Sequence, residues 1–207
     1  GNFDDAQTAV KKMFNDHEMA AELDQAGFQF SSANSINIGR LVPQIVYYVY
    51  AYATLVRDGK IKDGQEINVV VPTGNFGNIL AAYYAKQMGL PIHKLICASN
   101  ENRVLYDFFR TGTYDRKRDF ILTTSPSMDI LISSNLERLL YHVSGSSEKV
   151  AAWMQELSRT GKYTVDAETL AKIQESFAAV YADDAEGAAE IKARFDEDNY
   201  CLLYTSP

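Results

Sequence analysis

The six-residue segment TGNFGN, residues 73–78, combines residue types that can hold an anion. Glycine adopts positive φ without steric cost and asparagine tolerates it, so two of each predict a tight loop whose backbone N–H groups converge. A helix that starts directly after the loop would add the positive end of its dipole, and phosphate is the usual anion there. The alternative is a tight strand-to-helix turn that holds no ligand.

The loop matches neither of the two most familiar phosphate-binding motifs. A Walker loop needs a Gly-Lys-Ser/Thr sequence that reaches the terminal phosphates, and a dinucleotide fingerprint needs G-x-G-x-x-G. This loop has the spacing G-x-x-G and contains no lysine. The motif by itself therefore leaves the ligand open.

A second set of polar residues, Asn34, Ser35 and Arg40, lies in the stretch NSINIGR. Asn34 and Ser35 offer hydrogen-bond donors at a predicted helix start, and Arg40 offers a planar guanidinium group that suits phosphate oxygens. Without further information, an N-cap for Asn34 and Ser35 and a surface charge for Arg40 are the simpler interpretations.

A strand, a helix and a second strand are predicted around the glycine loop. The apolar, β-branched run at 67–71 predicts a strand covered on both faces, residues 79–88 predict a helix that ends at Gly89, and 93–99 predict the next strand. This order is typical of a right-handed βαβ crossover, so the sheet is expected to be parallel. Asn100-Glu101-Asn102 then follows the second strand at the end where ligands bind, and helix capping by Asn100 is an equally good interpretation.

The remaining elements complete an α/β pattern with helices on both faces of the sheet. The expected elements are a helix from Asp4 or Asp5, a short strand in GFQFSS, a long helix that starts near Arg40, has Pro43 in its first turns and ends before Asp58, a helix closed by Gly112, a strand at the start of ILTTSPSMD, a helix capped near Ser133 or Ser134, and three amphipathic helices in 148–157, 166–182 and 188–195.

Composition and charge exclude several classes of protein. The 207 residues are 46% hydrophobic and 12% aromatic, enough for a full globular core, and the net charge of −7 argues against nucleic-acid and anionic-membrane partners. Two cysteines and three histidines show no metal-ligand spacing, and the cysteine content suits a reducing cytoplasm. The apolar run at 41–56 is 16 residues long, short of the roughly 20 needed to span a bilayer, and is interpreted as a buried helix.

Four separated stretches, SSANSINIGRL, VVVPTGNFGN, LICASNENR and SPSMDILISSNLER, together resemble threonine synthase. That family consists of pyridoxal-phosphate enzymes with the tryptophan-synthase β-like fold, and the resemblance covers about residues 1–145. It implies that the glycine loop holds the phosphate of pyridoxal 5'-phosphate. The residues that it assigns to the cofactor are Gly74, Asn75, Phe76, Gly77 and Asn78.

The same resemblance assigns Asn34, Ser35 and Arg40 to the phosphate of the substrate, O-phospho-L-homoserine. The implied reaction is a replacement in which phosphate leaves Cγ and water adds at Cβ to give L-threonine. Two other classes stay open: a non-catalytic module that binds pyridoxal phosphate or a phosphorylated metabolite, and a scaffold domain with a similar βαβ core.

Two features of the family have no match in this sequence. The family's cofactor-bonding lysine lies in a Phe-Lys-Asp motif that no lysine here shows, and its Ser or Thr partner of the pyridine nitrogen has no match either. We therefore expect a central piece of a longer protein, with 1–24 as the end of a preceding α/β domain, 25–195 as the large cofactor-binding domain and 196–207 as a tail. The last residues, CLLYTSP, resemble translated adaptor sequence rather than the family.

Overall fold

The structure, a computed structural model, describes residues 3–31 and 37–200. Its helices are α1 Phe3–Phe14, α2 His17–Gln25, α3 Ile38–Leu41, α4 Ile45–Arg57, α5 Gly77–Gln87, α6 Val104–Thr111, α7 Leu136–Ser144, α8 Ser147–Thr160, α9 Ala167–Ser176 and α10 Asp184–Asp198. Its strands are β1 Ile67–Pro72, β2 Ile92–Ser99, β3 Thr113–Asp115, β4 Lys162–Thr164 and β5 Phe177–Tyr181. Two 3₁₀ turns cover Val42–Gln44 and Pro126–Met128. The division of the chain into three segments stays a prediction.

A three-stranded parallel sheet with the order β1-β2-β5 forms the centre of the fold. Val71 of β1 pairs with Cys97 of β2, and Cys97 pairs on its other side with Ala179 of β5. Strand β1, helix α5 and strand β2 therefore form the predicted parallel βαβ unit. Because parallel strands end at the same edge, the loop after β1 and the asparagines after β2 are brought together there.

The third strand of this sheet corrects one prediction. Residues 166–182 were expected to form one helix, but α9 ends at Ser176 and the next five residues form β5. The sequence FAAVY is compatible with either state, and pairing with β2 decides between them. Phe177 is 3% exposed, and its ring stacks on Phe109 with centroids 5.4 Å apart, so the strand also completes the core.

Other predicted elements differ from the structure as well. No strand forms at 28–31 or at 121–123, which are irregular segments. The expected long helix after Arg40 is divided by the 3₁₀ turn at Val42–Gln44, because Pro43 has no N–H for a regular helix. Helix α4 is not a buried helix either: Tyr47 is 62% exposed and Tyr50 is 67% exposed, because this helix packs on the rest of the described chain along one side only.

A small antiparallel sheet, β3 with β4, lies beyond the main sheet. Its centre is a stacked pair of buried tyrosines, Tyr114 and Tyr163, with ring centroids 5.4 Å apart. The hydroxyl of Tyr114 donates to the carbonyl of Leu131 at 3.0 Å and accepts the N–H of Ser133 at 2.8 Å. The small sheet thereby anchors the segment that supports the glycine loop.

Candidate functional site

The glycine loop joins β1 directly to α5, as the sequence predicts. The residue with left-handed backbone is neither a glycine nor an asparagine but Phe76, which has φ of 65° and caps α5. This conformation is unfavourable for a bulky residue and persists only where the surroundings enforce it. The ring of Phe76 is 1% exposed and lies 5.8 Å from that of Phe177 between centroids, so core packing holds the loop in this shape.

Gly74 is required for close approach rather than for positive φ. A Cβ atom at this position would lie 2.8 Å from the backbone carbonyl oxygen of Ser127 and 3.5 Å from the Cα of Met128. Any side chain at position 74 would therefore overlap with the 3₁₀ turn at Pro126–Met128. The loop and this turn are packed backbone against backbone.

The backbone polarity of the loop suits an anion. Within residues 3–31 and 37–200, none of the N–H groups from Gly74 to Ile79 donates a hydrogen bond, whereas the carbonyl oxygens of Gly74, Asn75 and Phe76 all accept one. These N–H groups stand at the N-terminus of α5, where the helix dipole favours negative charge. No carboxylate occurs in the loop itself. The arrangement fits a phosphate group.

The loop carbonyls are held from behind by the start of α7. The hydroxyl of Ser133 donates to Gly74 O at 2.9 Å, and Asn135 donates to Asn75 O from both its backbone N (3.1 Å) and its side-chain Nδ2 (2.8 Å). Asn135, which is fully buried, also stands at the N-cap position of α7 in place of the predicted Ser133 or Ser134. The carbonyls therefore point away from the open N–H groups.

A buried carboxylate fastens the turn that packs on Gly74. Asp129 is 3% exposed and accepts four hydrogen bonds of 2.7–3.0 Å: from Asn100 Nδ2, from Asn102 Nδ2, and from the backbone N and hydroxyl of Thr123. Asn100 and Asn102 thus act through Asp129 to hold the turn that packs on the glycine loop. The N-cap of α6 is Arg103, so helix capping by Asn100 was a wrong interpretation.

Arg40 lies on α3, which packs beside α5 through the fully buried side chain of Leu41. A short network joins this region to the loop. Gln44 Nε2 donates to Arg40 O at 2.9 Å, and Gln44 Oε1 accepts from Asn78 Nδ2 at 3.0 Å. Asn34 and Ser35, the other predicted substrate residues, lie outside the described residues.

The buried thiol of Cys97 lies in the centre of the sheet, as expected of a core cysteine. Burial raises its pKa to about 12, which excludes a thiolate nucleophile at neutral pH. In the described part of the chain, no cluster of three or more His, Cys, Asp or Glu residues has the arrangement of a metal site. The same residues include no helix long and apolar enough to cross a bilayer.

Sequence reasoning missed the residues that support the loop. Ser133 and Asn135 are about sixty positions from the carbonyls that they bind, and Asp129 is almost thirty positions from the asparagines that it binds. The only available signal was the stretch SPSMDILISSN, whose polar residues exceed what a simple turn needs. Gln44 carried no signal beyond its place in an apolar helix.

Comparison with known proteins agrees with this geometry. No protein-family model matches the chain. It is 46% identical over 204 residues to threonine synthase-like 1 of Macaca fascicularis, covering 97% of this chain and 28% of that protein. It is 37% identical to the threonine synthase of Schizosaccharomyces pombe, covering 98% of this chain and 42% of that enzyme.

A solved structure shows the same fold. The PLP-bound threonine synthase of Brucella melitensis superposes with a TM-score of 0.83 at 43% identity, covering 98% of this chain and 41% of that one. The fold is therefore the α/β fold of pyridoxal-phosphate enzymes of the tryptophan-synthase β-like class. Within that class, the chain is similar to threonine synthases over nearly its whole length. It spans between 28% and 42% of the length of these relatives.

Proposed function

We propose that the protein containing this chain is a pyridoxal-phosphate-dependent threonine synthase, which converts O-phospho-L-homoserine and water to L-threonine and phosphate. The observation that carries the proposal is the row of N–H groups from Gly74 to Ile79 at the start of α5, which donate no hydrogen bond to any residue that the structure describes. This row occurs in a chain 37–46% identical to proteins named threonine synthase or threonine synthase-like. The net charge and cysteine content support a cytoplasmic enzyme without nucleic-acid or membrane partners.

The loop from Gly74 to Asn78 would hold the cofactor phosphate through its backbone. The side chain of Asn78 is hydrogen-bonded to Gln44 and Tyr48, so its N–H group is what it offers to the phosphate. The cofactor, when bound, supplies an electron sink for the removal of protons beside the amino group of the substrate. The protein supplies the position of that cofactor, since Phe76 and Gly74 leave the loop little freedom to move.

Arg40, together with Asn34 and Ser35, would bind the phosphate of the substrate. A guanidinium group binds two phosphate oxygens at once, and its charge opposes the charge that develops as phosphate leaves Cγ. Preorganised donors of this kind contribute several kcal/mol to lowering a reaction barrier. Arg40 therefore has a role in both substrate binding and leaving-group departure under this proposal.

The 207-residue chain by itself is expected to be inactive. The reaction needs a lysine held against the cofactor to move the Cα proton, and none of the lysines here has the Phe-Lys-Asp context of the family. Proximity of such a group accounts for roughly 7–11 kcal/mol of a barrier, so a distant lysine does not replace it. Turnover by this chain alone, with added cofactor, would contradict this expectation.

The full-length protein provides the decisive test. Purified protein is mixed with pyridoxal phosphate and O-phospho-L-homoserine, and both threonine and released phosphate are measured. Gly77→Val should weaken cofactor binding, because Gly77 is a buried residue in the first turn of α5. Gly187→Val is the matched control, since beyond its chain neighbours and the backbone of its own helix no atom of the described residues lies within 4 Å of a Cβ at Gly187. Cofactor binding without turnover would favour the non-catalytic binding module instead.

A further inference from the structure

The side chain of Asn78 is held by two residues of the neighbouring helical segment. The hydroxyl of Tyr48 donates to Asn78 Oδ1 and also lies 3.1 Å from the Asn78 carbonyl oxygen. Asn78 Nδ2 donates to Gln44 Oε1. Gln44 and Tyr48 are four residues apart, so both project from one side of this segment. Because Asn78 is the second residue of α5, these bonds fix the start of the helix at the loop.

Gln44 connects the same point to the segment that carries Arg40. Its Nε2 group donates to the carbonyl oxygen of Arg40 at 2.9 Å while its Oε1 atom accepts from Asn78. Pro43 lies between α3 and α4 and has no N–H, which weakens the backbone connection of the two helices. A single side-chain amide therefore bridges α3 and the start of α5.

We propose that Gln44 and Tyr48 are positioning residues, which act through Asn78 and Arg40 to hold the substrate-phosphate helix and the cofactor loop at one fixed separation. The inference rests on the proposed function, because that function assigns one phosphate to each side of the bridge. The hydroxyl of Tyr48 bonds to Asn78, at the cofactor loop, whereas the amide of Gln44 bonds to both Asn78 and the backbone of Arg40. Burial raises the pKa of Tyr48 to about 12, so its hydroxyl remains a donor throughout the neutral range.

Two of the tyrosines of α4, Tyr48 and Tyr52, provide a matched test in the full-length protein. Tyr48→Phe removes only the hydroxyl that holds Asn78. Tyr52→Phe makes the same change one helical turn further along, where the hydroxyl donates to the carbonyl of Gln65 at 3.1 Å. We expect Tyr48→Phe to raise the Kd of pyridoxal phosphate about 3- to 10-fold, as for one hydrogen bond, and Tyr52→Phe to leave it unchanged. Binding is measured by absorbance titration of cofactor-free protein.

Gln44→Met keeps the length of the side chain and removes both bonds of the bridge. At saturating cofactor, it should raise KM for O-phospho-L-homoserine about 3- to 10-fold, whereas Tyr48→Phe should leave that KM unchanged. A purely structural role would instead lower the melting temperature and affect both constants in all variants alike. If Gln44→Met fails to fold, the two tyrosine variants still decide the matter.

Three results would overturn the inference. They are an unchanged cofactor Kd in folded Tyr48→Phe, equal changes in Tyr48→Phe and Tyr52→Phe, and an unchanged KM in folded Gln44→Met. These failures are distinct from failure of the proposed function. If the parent protein binds no pyridoxal phosphate, the proposed function fails and the inference fails with it. If the parent binds cofactor and turns over substrate, any of the three results overturns the inference alone.

Discussion

Replacing Gly74 by alanine adds one methyl group where the structure leaves no room. The new Cβ would lie 2.8 Å from the carbonyl oxygen of Ser127. A comfortable carbon contact is about 3.5 Å, so the loop or the turn at Pro126–Met128 must move by roughly 0.5 Å or more. Overpacking of this kind costs about 1–3 kcal/mol.

The structure indicates which of the two partners moves. Asp129, the residue after the turn, is held by four hydrogen bonds from Asn100, Asn102 and Thr123. At Gly74 itself the loop is attached by one side-chain hydrogen bond, from the hydroxyl of Ser133 to its carbonyl oxygen, and the N–H groups of the loop are open in the described chain. The displacement should therefore fall on the loop and appear as weaker binding of the cofactor phosphate.

We expect Gly74→Ala in the full-length protein to raise the Kd of pyridoxal phosphate by roughly 5- to 150-fold, which corresponds to about 1–3 kcal/mol. Absorbance titration measures the affinity, and thermal unfolding of cofactor-free protein measures stability. Gly187→Ala is the matched control: it lies in α10 with open space around a Cβ, so it should leave affinity unchanged and leave stability the same or slightly higher.

Two results would refute this reasoning. An affinity within twofold of the parent, with unchanged stability, would show that Ser127 does not pack on Gly74 as described. A loss of stability with unchanged affinity would show that the turn yields and that Asp129 does not hold it firmly.

Three further predictions concern the substrate side, the buried carboxylate and the buried thiol. Arg40→Ala should lower kcat/KM for O-phospho-L-homoserine by about 1.5–3 kcal/mol while the cofactor Kd stays within about twofold, since one charge-assisted contact is lost; an unchanged kcat/KM would leave Arg40 as a surface charge. Asp129→Asn should lower the free energy of unfolding in urea by about 1.5–3 kcal/mol, whereas Asp63→Asn at an exposed position should not; equal values for the two would contradict the network. Folding raises the pKa of the Cys97 thiol from 9.0 to about 12, so the thiol ionises at lower pH in the unfolded chain than in the folded one. The buried neutral thiol therefore contributes its full stabilisation below pH 9, and this stabilisation is lost as the pH rises towards 12. Between pH 9 and pH 11, the free energy of unfolding of Cys97→Ala should therefore fall less steeply than that of the parent protein. The two slopes should differ by up to about 1.4 kcal/mol per pH unit, and identical slopes would refute the pKa shift.

The sequence by itself determined the βαβ unit around the glycine loop and the resemblance to threonine synthase. The run INVVV, the loop TGNFGN and the helix that follows are local signals, because strand propensity, turn residues and helix formers are all read within about ten residues. The closure of α6 by Gly112, which has φ of 75°, is a signal of the same kind.

Only the tertiary structure decided how the loop is held. The segment FAAVY became a strand because β2 offered a partner for its backbone, which no local pattern of 167–181 indicates. Phe76 adopts a left-handed conformation because its ring packs against both Phe109 and Phe177, which come from other elements.

The supports of the loop depend on contacts between distant parts of the chain. Ser133 and Asn135 bind the loop carbonyls, and Asp129 binds the two asparagines after β2. Hydrogen bonds of this kind follow from where the folded backbone places each group, and residue type alone does not state the partner. The sequence therefore predicted the anion loop, and the fold alone decided which side chains keep its N–H groups open.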